Sequence, residues 1–254
     1  IGDNALYLNM GGSTEGAVTV QIAGLVTDNA SHTINLDKHN LVITDNAKYL
    51  KQNLIDDINS EFLSSLDADH AEQNIISANT ALKGTGSLQI GTESSNNIAL
   101  TFNSASTLNG FDGSVKLSGT NAKAIVNGPA ELTNGTFEGS SDDTVELNSN
   151  VQIAADKADF SKFEGVLDLA EVTATVTSNL DVLNRNAVLD LENTTFVLDS
   201  VANNSTTASF ANTIKGTGTL NFQNTTDVRM VYTSQLMTDF SGDLDLDGTS
   251  KVSI

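Results

Sequence analysis

The sequence predicts an all-β fold, a parallel β-helix (β-solenoid) with a short helical insertion near residues 45–80. An aromatic–acid–glycine phrase begins at Phe111 and returns at Phe137 and Phe163, and the two intervals are equal. A fixed spacing indicates one structural unit repeated along the chain. Only 5% of the residues are aromatic and none is Trp, which suits a thin aliphatic core. Short segments also alternate apolar and polar residues at period two, as half-buried strands do.

Residues 1–43 form the first predicted region, which we interpret as irregular turns of the solenoid. Four segments there alternate in polarity or are rich in β-branched residues, and we predict strands at 5–8, 17–22, 32–36 and 41–43. Glycines and an Asp-Asn pair separate these segments, as expected for turns.

Residues 44–81 form the second region, where the pattern becomes helical. One apolar residue recurs every four positions and predicts a single helical stripe: Leu50, Leu54, Ile58, Phe62 and Leu66. Thr44 or Asp45 can cap the start of this helix. We expect a helical hairpin that covers an edge or flank of the solenoid, and a protruding binding subdomain is the alternative.

The second helix of this hairpin is weaker. It follows Asp67 and places Ala71, Ile75 and Ile76 on one side. Its apolar stripe is short, and together the two helices are too short for a coiled-coil stalk.

Residues 82–254 form the third region, with about seven regular turns of roughly 22–29 residues each. Gly84-Thr85-Gly86 and Gly216-Thr217-Gly218 are twin phrases, and a Phe-x-Gly phrase follows each of them about one turn later, at Phe111 and Phe240. A β-sandwich is the main competing fold, but it gives no reason for equal intervals between the phenylalanine phrases.

The twin phrases also lead to detailed predictions. We expect the phenylalanines to stack at one corner of the coil. We expect Leu82 and Ile214 to occupy the equivalent position in their own turns. The glycine two residues after each phenylalanine would supply positive φ. Asn-rich segments at 95–97 and 203–205 are expected to adopt left-handed turns and to form side-chain ladders.

The charge of the chain limits its partners. Twelve basic and 32 acidic residues give a formal net charge of −20. This charge opposes binding to nucleic acid or to an anionic membrane surface. The absence of Cys excludes disulfides and thiolate metal sites. No apolar run is long enough to span a bilayer, no signal peptide is recognisable, and we interpret the sequence as a fragment of a longer protein.

The strongest candidate metal motif is the acidic phrase at 243–248, which imitates the start of an EF-hand loop. Position twelve of that loop would be Ile254 instead of a Glu, and the phrase alternates Leu with Asp. We therefore predict a half-buried strand here and no calcium site.

The remaining acidic residues and the histidines are not predicted to form a functional site. We predict that Asp142 and Asp143 are solvated turn residues. We predict that Asp67, Asp69 and Glu72 are solvated acids at a helix N-terminus. The three histidines are expected at surfaces or edges without a metal: His32, His39 and His70.

The sequence predicts no enzyme, no catalytic residues and no cofactor. There is no Gly-x-Ser-x-Gly elbow for a serine nucleophile. A lyase acting on acidic sugars needs cations, and the only arginines are Arg185 and Arg229. An enzyme would require a cleft with perturbed carboxylates beside a basic residue.

The paired Gly-Thr-Gly-x-Leu and Phe-x-Gly phrases, at 84–88 with 111–119 and at 216–220 with 240–248, resemble the passenger domains of Gram-negative autotransporters. The resemblance covers residues 82–254 well and 1–43 loosely, and the helical pattern at 45–80 departs from it. It implies a right-handed β-helix that is exported through the outer membrane and acts at the bacterial surface, with roles in biofilms and virulence.

The predicted function is that of a surface adhesin. The resemblance implies adhesion or cell–cell self-association through extended polar faces, so the expected partner is a second copy or a host glycan or protein. Two alternatives stay open. One is a polysaccharide-active or toxin passenger enzyme, and the other is a structural spacer or surface-layer segment.

Overall fold

The computed structural model describes residues 7–9, 16–27, 30–46, 74–128, 134–177, 179–201, 209–225, 228–231, 239–248 and 250–253. In these ranges the chain forms a parallel β-solenoid of about eight turns. The predicted fold class is thereby confirmed. The right-handed sense stays an expectation from the resemblance.

Each turn of the solenoid crosses three faces in the same order. Face 1 carries β1 (Tyr7–Asn9), β3 (His32–Asn35), β6 (Thr80–Lys83), β13 (Val151–Ile153), β16 (Thr173–Thr177), β18 (Thr195–Asp199), β21 (Thr219–Gln223) and β23 (Asp243–Asp247). Face 2 carries β2 (Thr19–Ile22), β4 (Asn40–Ile43), β7 (Ser87–Ile90), β9 (Ser114–Leu117), β11 (Gly135–Gly139), β14 (Ala158–Phe163), β19 (Ser209–Phe210), β22 (Val228–Met230) and β24 (Val252–Ser253). Face 3 carries β5 (Asn74–Ile76), β8 (Ala99–Phe102), β10 (Lys123–Val126), β12 (Thr144–Leu147), β15 (Val166–Ala170), β17 (Val188–Glu192) and β20 (Thr213–Gly216).

Two short 3₁₀ helices interrupt this order, at Ala105–Leu108 and Leu180–Val182. Ile153 of β13 on face 1 and Ala158 of β14 on face 2 form a ladder pair. This pair joins strands of both faces into one 11-stranded sheet.

The core consists of columns in which one inward side chain stacks on its register partner in the next turn. On face 2, Val115 lies between Leu88 and Phe137, and all three are fully buried. Neighbouring strands are about 4.8 Å apart, so such columns leave no gap. The rings of Phe137 and Phe160 stack with centroids 4.8 Å apart and planes 16° from parallel. Aliphatic columns with a few stacked rings therefore fill a core that needs no Trp.

The register also locates the inserted segment. Asn40 and Ser87 are direct partners although they lie 47 residues apart in the chain, whereas the step from Ser87 to its next partner, Ser114, is much shorter. The extra length lies between β4 and β5, and the predicted stripe at 50–66 falls outside the described residues.

The weaker helix prediction is wrong where the structure describes it. Ile75 and Ile76 lie in β5, and their register partners are Thr101 and Phe102 in β8. Thr80 begins β6 on face 1. Adjacent β-branched residues suit a strand buried on both sides, and pairing with β8 outweighs a local helical spacing. The ladder therefore resumes at Asn74, before Leu82.

The equal spacing of the three phenylalanine phrases does not mark a repeated slot. Phe111 lies opposite Gly84, Phe137 opposite Val115, and Phe163 opposite Gly139. The prediction that Leu82 and Ile214 occupy the same position as the phenylalanines is also wrong. Phe111 pairs with Gly84 and Phe240 pairs with Gly216, and each glycine lies two residues after the predicted partner. The turns have different lengths, so a constant sequence spacing drifts around the coil.

The twin phrases nevertheless stack as pairs, at two different corners. Gly84 pairs with Phe111 between faces 1 and 2, and Gly216 pairs with Phe240 between faces 3 and 1. The first glycine of each pair has positive φ, +106° at Gly84 and +94° at Gly216. The glycine two residues after each phenylalanine does not have positive φ, so that prediction is wrong. Close packing explains the glycine at this position instead.

Asn97 confirms the prediction of left-handed asparagines, with φ of +54°. Asn121 lies one turn later with φ of +53°, and its Nδ2 donates to Asn97 Oδ1 at 3.2 Å. The second predicted cluster, at 203–205, lies outside the described residues.

Candidate functional site

The first candidate site is a row of charged side chains on face 2. Gln89, Lys116, Glu138 and Lys162 are successive register partners on β7, β9, β11 and β14, and they point outward. Lys116 Nζ lies 3.5 Å from Glu138 Oε2, and Lys162 Nζ lies 3.2 Å from Glu138 Oε1. One carboxylate thus bridges two ammonium groups. We name these four residues the face 2 row.

An open groove of about 440 Å³ runs beside the face 2 row, at the corner with face 3. The connections between the two faces shorten along the axis, from 91–98 to 118–122, 140–143 and 164–165. The row shares the groove walls with hydroxyl and carboxylate groups, from Ser118, Ser140 and Glu164. The polar side chains of this lining offer hydrogen-bonding groups beside the face 2 row.

A second charged row lies on face 3. Glu146, Asp168, Asp190 and Lys215 are successive register partners on β12, β15, β17 and β20. Lys215 Nζ lies 3.0 Å from Asp190 Oδ2, and Lys123 forms an ion pair with Glu146. We name these five residues the face 3 row. Its middle member, Asp168, forms no ion pair within the described part of the chain, and both of its row neighbours are acids.

The environment shifts two pKa values in this row in opposite directions. Burial raises the pKa of Asp168, and the charges of Glu146 and Asp190 add to the rise, against the weaker effect of the two lysines. Burial also acts to raise the pKa of Glu146, but hydrogen bonds from Lys123 and Asn148 and the Lys123 charge outweigh it. The pKa of Glu146 therefore lies below its ordinary value.

Asp143 overturns the prediction of a solvated acidic pair. It is fully buried at the corner between faces 2 and 3. Its Oδ1 accepts from the backbone N–H of Ala122 at 3.0 Å, and its Oδ2 accepts from the N–H and hydroxyl of Ser140 at 2.7 and 2.9 Å. These bonds replace the lost hydration, so Asp143 fixes the corner. Asp142 is exposed as predicted, and Asp67, Asp69 and Glu72 lie outside the described residues.

His39 overturns the prediction of surface histidines. It is fully buried, and its Nδ1 accepts from the backbone N–H of Val18 at 3.0 Å. This bond holds the first strand of face 2 on the next turn. His32 is partly exposed, and His70 lies outside the described residues. Within the described part of the chain, no group of three or more His, Asp or Glu side chains could hold a metal.

The EF-hand-like phrase at 243–248 is the strand β23, as predicted. The strand is not half-buried, however, because Leu244 and Leu246 are 46% and 60% exposed. Its ladder partner is β21, where Asn221 Nδ2 donates to Asp245 Oδ2 at 3.0 Å. Among the described residues no further strand pairs with β23, which explains the exposure.

In the described residues, the carboxylate with the raised pKa and the two arginines lie away from the groove. Asp168, the acid whose pKa is raised, belongs to the flat face 3 row and does not line the groove. Both arginines, Arg185 and Arg229, are exposed and also lie outside the groove lining.

The two charged rows were missed at the sequence level. A signal for the face 3 row existed, because Glu146, Asp168 and Asp190 follow one another at equal intervals. The face 2 row has unequal intervals, since the step from Glu138 to Lys162 is longer than the step from Lys116 to Glu138. A bulge in the ladder between β11 and β14 contributes to the difference. Only the register reveals that row.

Comparison with protein-family models, curated proteins and solved structures finds no match for this chain. Among the described residues, no helix has the length and apolar character needed to cross a membrane. The class that the fold and the charged rows define is a parallel β-solenoid with polar, laterally exposed faces.

Proposed function

We propose that this chain is a segment of a bacterial surface adhesin that works by self-association between copies or by attachment to host glycans or proteins. The observation that carries the proposal is the pair of charged rows on faces 2 and 3. Each row presents charged side chains turn after turn along a rigid axis. Repeated weak contacts on such a surface add up through multivalency.

The proposal includes an extracellular location. The phrases at 84–88 and 111–119 resemble autotransporter passengers, and the absence of Cys is compatible with export of an extended solenoid. We propose that the segment is exported through the outer membrane, that it acts without a cofactor, and that it is not an enzyme. Its partners exclude nucleic acid because of the net charge of −20.

Bead aggregation tests this function. Beads coated with the chain should clump with one another, and uncoated beads should stay dispersed. If no clumping occurs, the same beads are tested on glycan and matrix-protein surfaces. No clumping together with no attachment to either surface would overturn the adhesin proposal. A polysaccharide screen on the same material tests the prediction that there is no turnover.

A spacer is the second candidate function, and one observation favours it. Most of the charges in the two rows already have partners within the chain, such as Glu138 between Lys116 and Lys162. A surface satisfied in this way can remain inert. A deletion of this segment that shortens the full protein and preserves adhesion would support the spacer.

A further inference from the structure

We infer that face 2 is the self-association surface, and that two copies meet there with their coil axes in opposite directions. Lys116 of each copy then contacts Glu138 of the other copy. The inference rests on the proposed self-association and adds the face, the orientation and the contacting residues.

Symmetry restricts how two identical faces can meet. A two-fold contact must be self-complementary, so that residue i touches residue j and j touches i. A two-fold axis that lies along the strand direction reverses the order of the turns. It keeps each outward row opposite the same row of the other copy. The charges within one row must therefore complement their own reversed order.

The face 2 row meets this requirement. Its order along the axis is neutral, positive, negative and positive: Gln89, Lys116, Glu138 and Lys162. An axis between β9 and β11 places Lys116 opposite Glu138 twice. The same axis places Gln89 opposite Lys162 twice. Every ammonium then faces a carboxylate or an amide, and no like charges face each other.

The parallel outward row on face 2 is compatible with this arrangement. It consists of Ser87, Ser114, Thr136 and Asp159, which are register partners on the same four strands. Ser87 is buried and donates its hydroxyl to Asn40 Oδ1, so the accessible part of the row is Ser114, Thr136 and Asp159. The axis between β9 and β11 sets Ser114 opposite Thr136, so two hydroxyl groups face each other and can share a hydrogen bond. Asp159 is the single charge in this row, and it lies opposite Ser87.

The face 3 row does not meet the requirement. The comparable axis on face 3, between β17 and β20, sets Asp190 opposite Lys215 twice, but it also sets Asp168 opposite Asp239, which follows Lys215 in the register. A two-fold axis through the middle of the row sets Asp168 opposite itself and Glu146 opposite Asp190. Carboxylates then oppose carboxylates in three successive turns. The face 2 row has one more positive than negative charge in a chain of net charge −20. Of the two rows, the face 2 row therefore opposes the approach of a second copy less than the face 3 row does.

The size of the patch sets the expected strength. Four strands about 4.8 Å apart, with about four residues of about 3.3 Å each, cover about 19 Å by 13 Å. Both copies together bury well under the roughly 1,200 Å² of a stable specific interface. We expect weak, reversible pairing in solution that becomes effective when many copies are displayed on facing cells.

Charge reversal in trans tests the inference. Lys116→Glu alone places Glu opposite Glu138 at both contacts, and Glu138→Lys alone places Lys opposite Lys116 at both contacts. Each variant alone should weaken pairing about tenfold or more, because like charges then meet twice. An equimolar mixture of the two variants avoids this double repulsion and should pair more tightly than either variant alone. Fluorescence anisotropy of one dye-labelled variant, titrated with the other, measures this.

Net charge alone predicts a different pattern. Glu138→Lys makes the chain less acidic and would strengthen non-specific association, whereas the inferred contact predicts a loss. The matched controls are Lys215→Glu and Asp190→Lys on face 3, which reverse a similar ion pair and should leave pairing unchanged. Thermal unfolding of each variant checks that the solenoid is intact.

The outcomes separate the two proposals. If the wild type pairs and the mixture of Lys116→Glu with Glu138→Lys pairs no better than the single variants, the face 2 contact is wrong and self-association stands. If the face 3 controls weaken pairing as much, the face assignment is wrong. If the wild type does not pair at any concentration, the proposed self-association fails, and the inference fails with it.

Discussion

A Cβ atom at Gly113 would lie 2.1 Å from the carbonyl oxygen of Gly86 on the preceding turn. The ring of Phe111, two residues earlier, would be 2.5 Å from the same atom. The glycine is therefore required by close packing on two sides, between its own phenylalanine and the backbone of the neighbouring turn. The same arrangement recurs at Gly242, where the neighbours are Gly218 and Phe240.

Substitution of this glycine should destabilise the solenoid. Gly113→Ala forces either the ring of Phe111 or the neighbouring backbone to move, and overpacking of this kind costs about 1–3 kcal/mol. Urea unfolding monitored by circular dichroism measures the loss. Gly16→Ala is the matched control, because a Cβ at Gly16 has no neighbour within 4 Å. Equal stability of the two variants would contradict the packing explanation.

The buried carboxylate of Asp143 should be essential for its corner. Asp143→Ala removes the acceptor for the N–H groups of Ala122 and Ser140. A buried amide without a partner costs about 1–3 kcal/mol, so we expect a clear decrease in the free energy of unfolding. Asp142→Ala, one residue away at an exposed position, should unfold at nearly the wild-type midpoint. A wild-type midpoint for Asp143→Ala would contradict the structural role.

The raised pKa of Asp168 leads to a prediction about pH. Burial and the neighbouring acids make the ionised form less favourable in the folded state than in the unfolded state. The folded state therefore binds the proton more readily. The contribution of Asp168 to stability becomes less favourable as the pH rises through the window between the unfolded and folded pKa values. At neutral pH its charge is a net cost.

Asp168→Asn should therefore be at least as stable as the wild type at pH 7. The difference should shrink as the pH falls toward the ordinary range of an aspartate, about 4. Glu146→Gln should behave in the opposite way, because the lowered pKa of Glu146 gives stability that is present at neutral pH and lost in acid. Melting temperatures of both variants between about pH 2 and about pH 7 provide the comparison, because the window of Glu146 lies below the ordinary pKa of a glutamate. A destabilised Asp168→Asn at pH 7 would refute the assigned cause of the shift.

The fold class could be predicted because it depends on composition and on repetition. Strand-like alternation, few aromatic residues and the twin phrases at 84–86 and 216–218 all reflect the stacked turns directly. The exact register could not be predicted. The turns differ in length, and the bulge between β11 and β14 shifts the pairing, so equal spacing of Phe111, Phe137 and Phe163 did not mean equal position.

The candidate site was harder to predict than the fold. Lys116, Glu138 and Lys162 become one row only through the register, and no local motif marks them. Asp143 and His39 are polar residues whose burial depends on partners 21 residues away, Ala122 and Val18. Sequence polarity favours solvent for such residues, and the hydrogen bonds that offset burial are visible only in the folded chain.

Sedimentation velocity of the wild-type chain, over a range of protein and salt concentrations, tests self-association most directly. We expect a reversible dimer whose population grows with protein concentration and falls with added salt, because ion pairs between Lys116 of one copy and Glu138 of the other hold the copies together. A monomer under every condition would contradict self-association and would leave a host ligand as the partner to find.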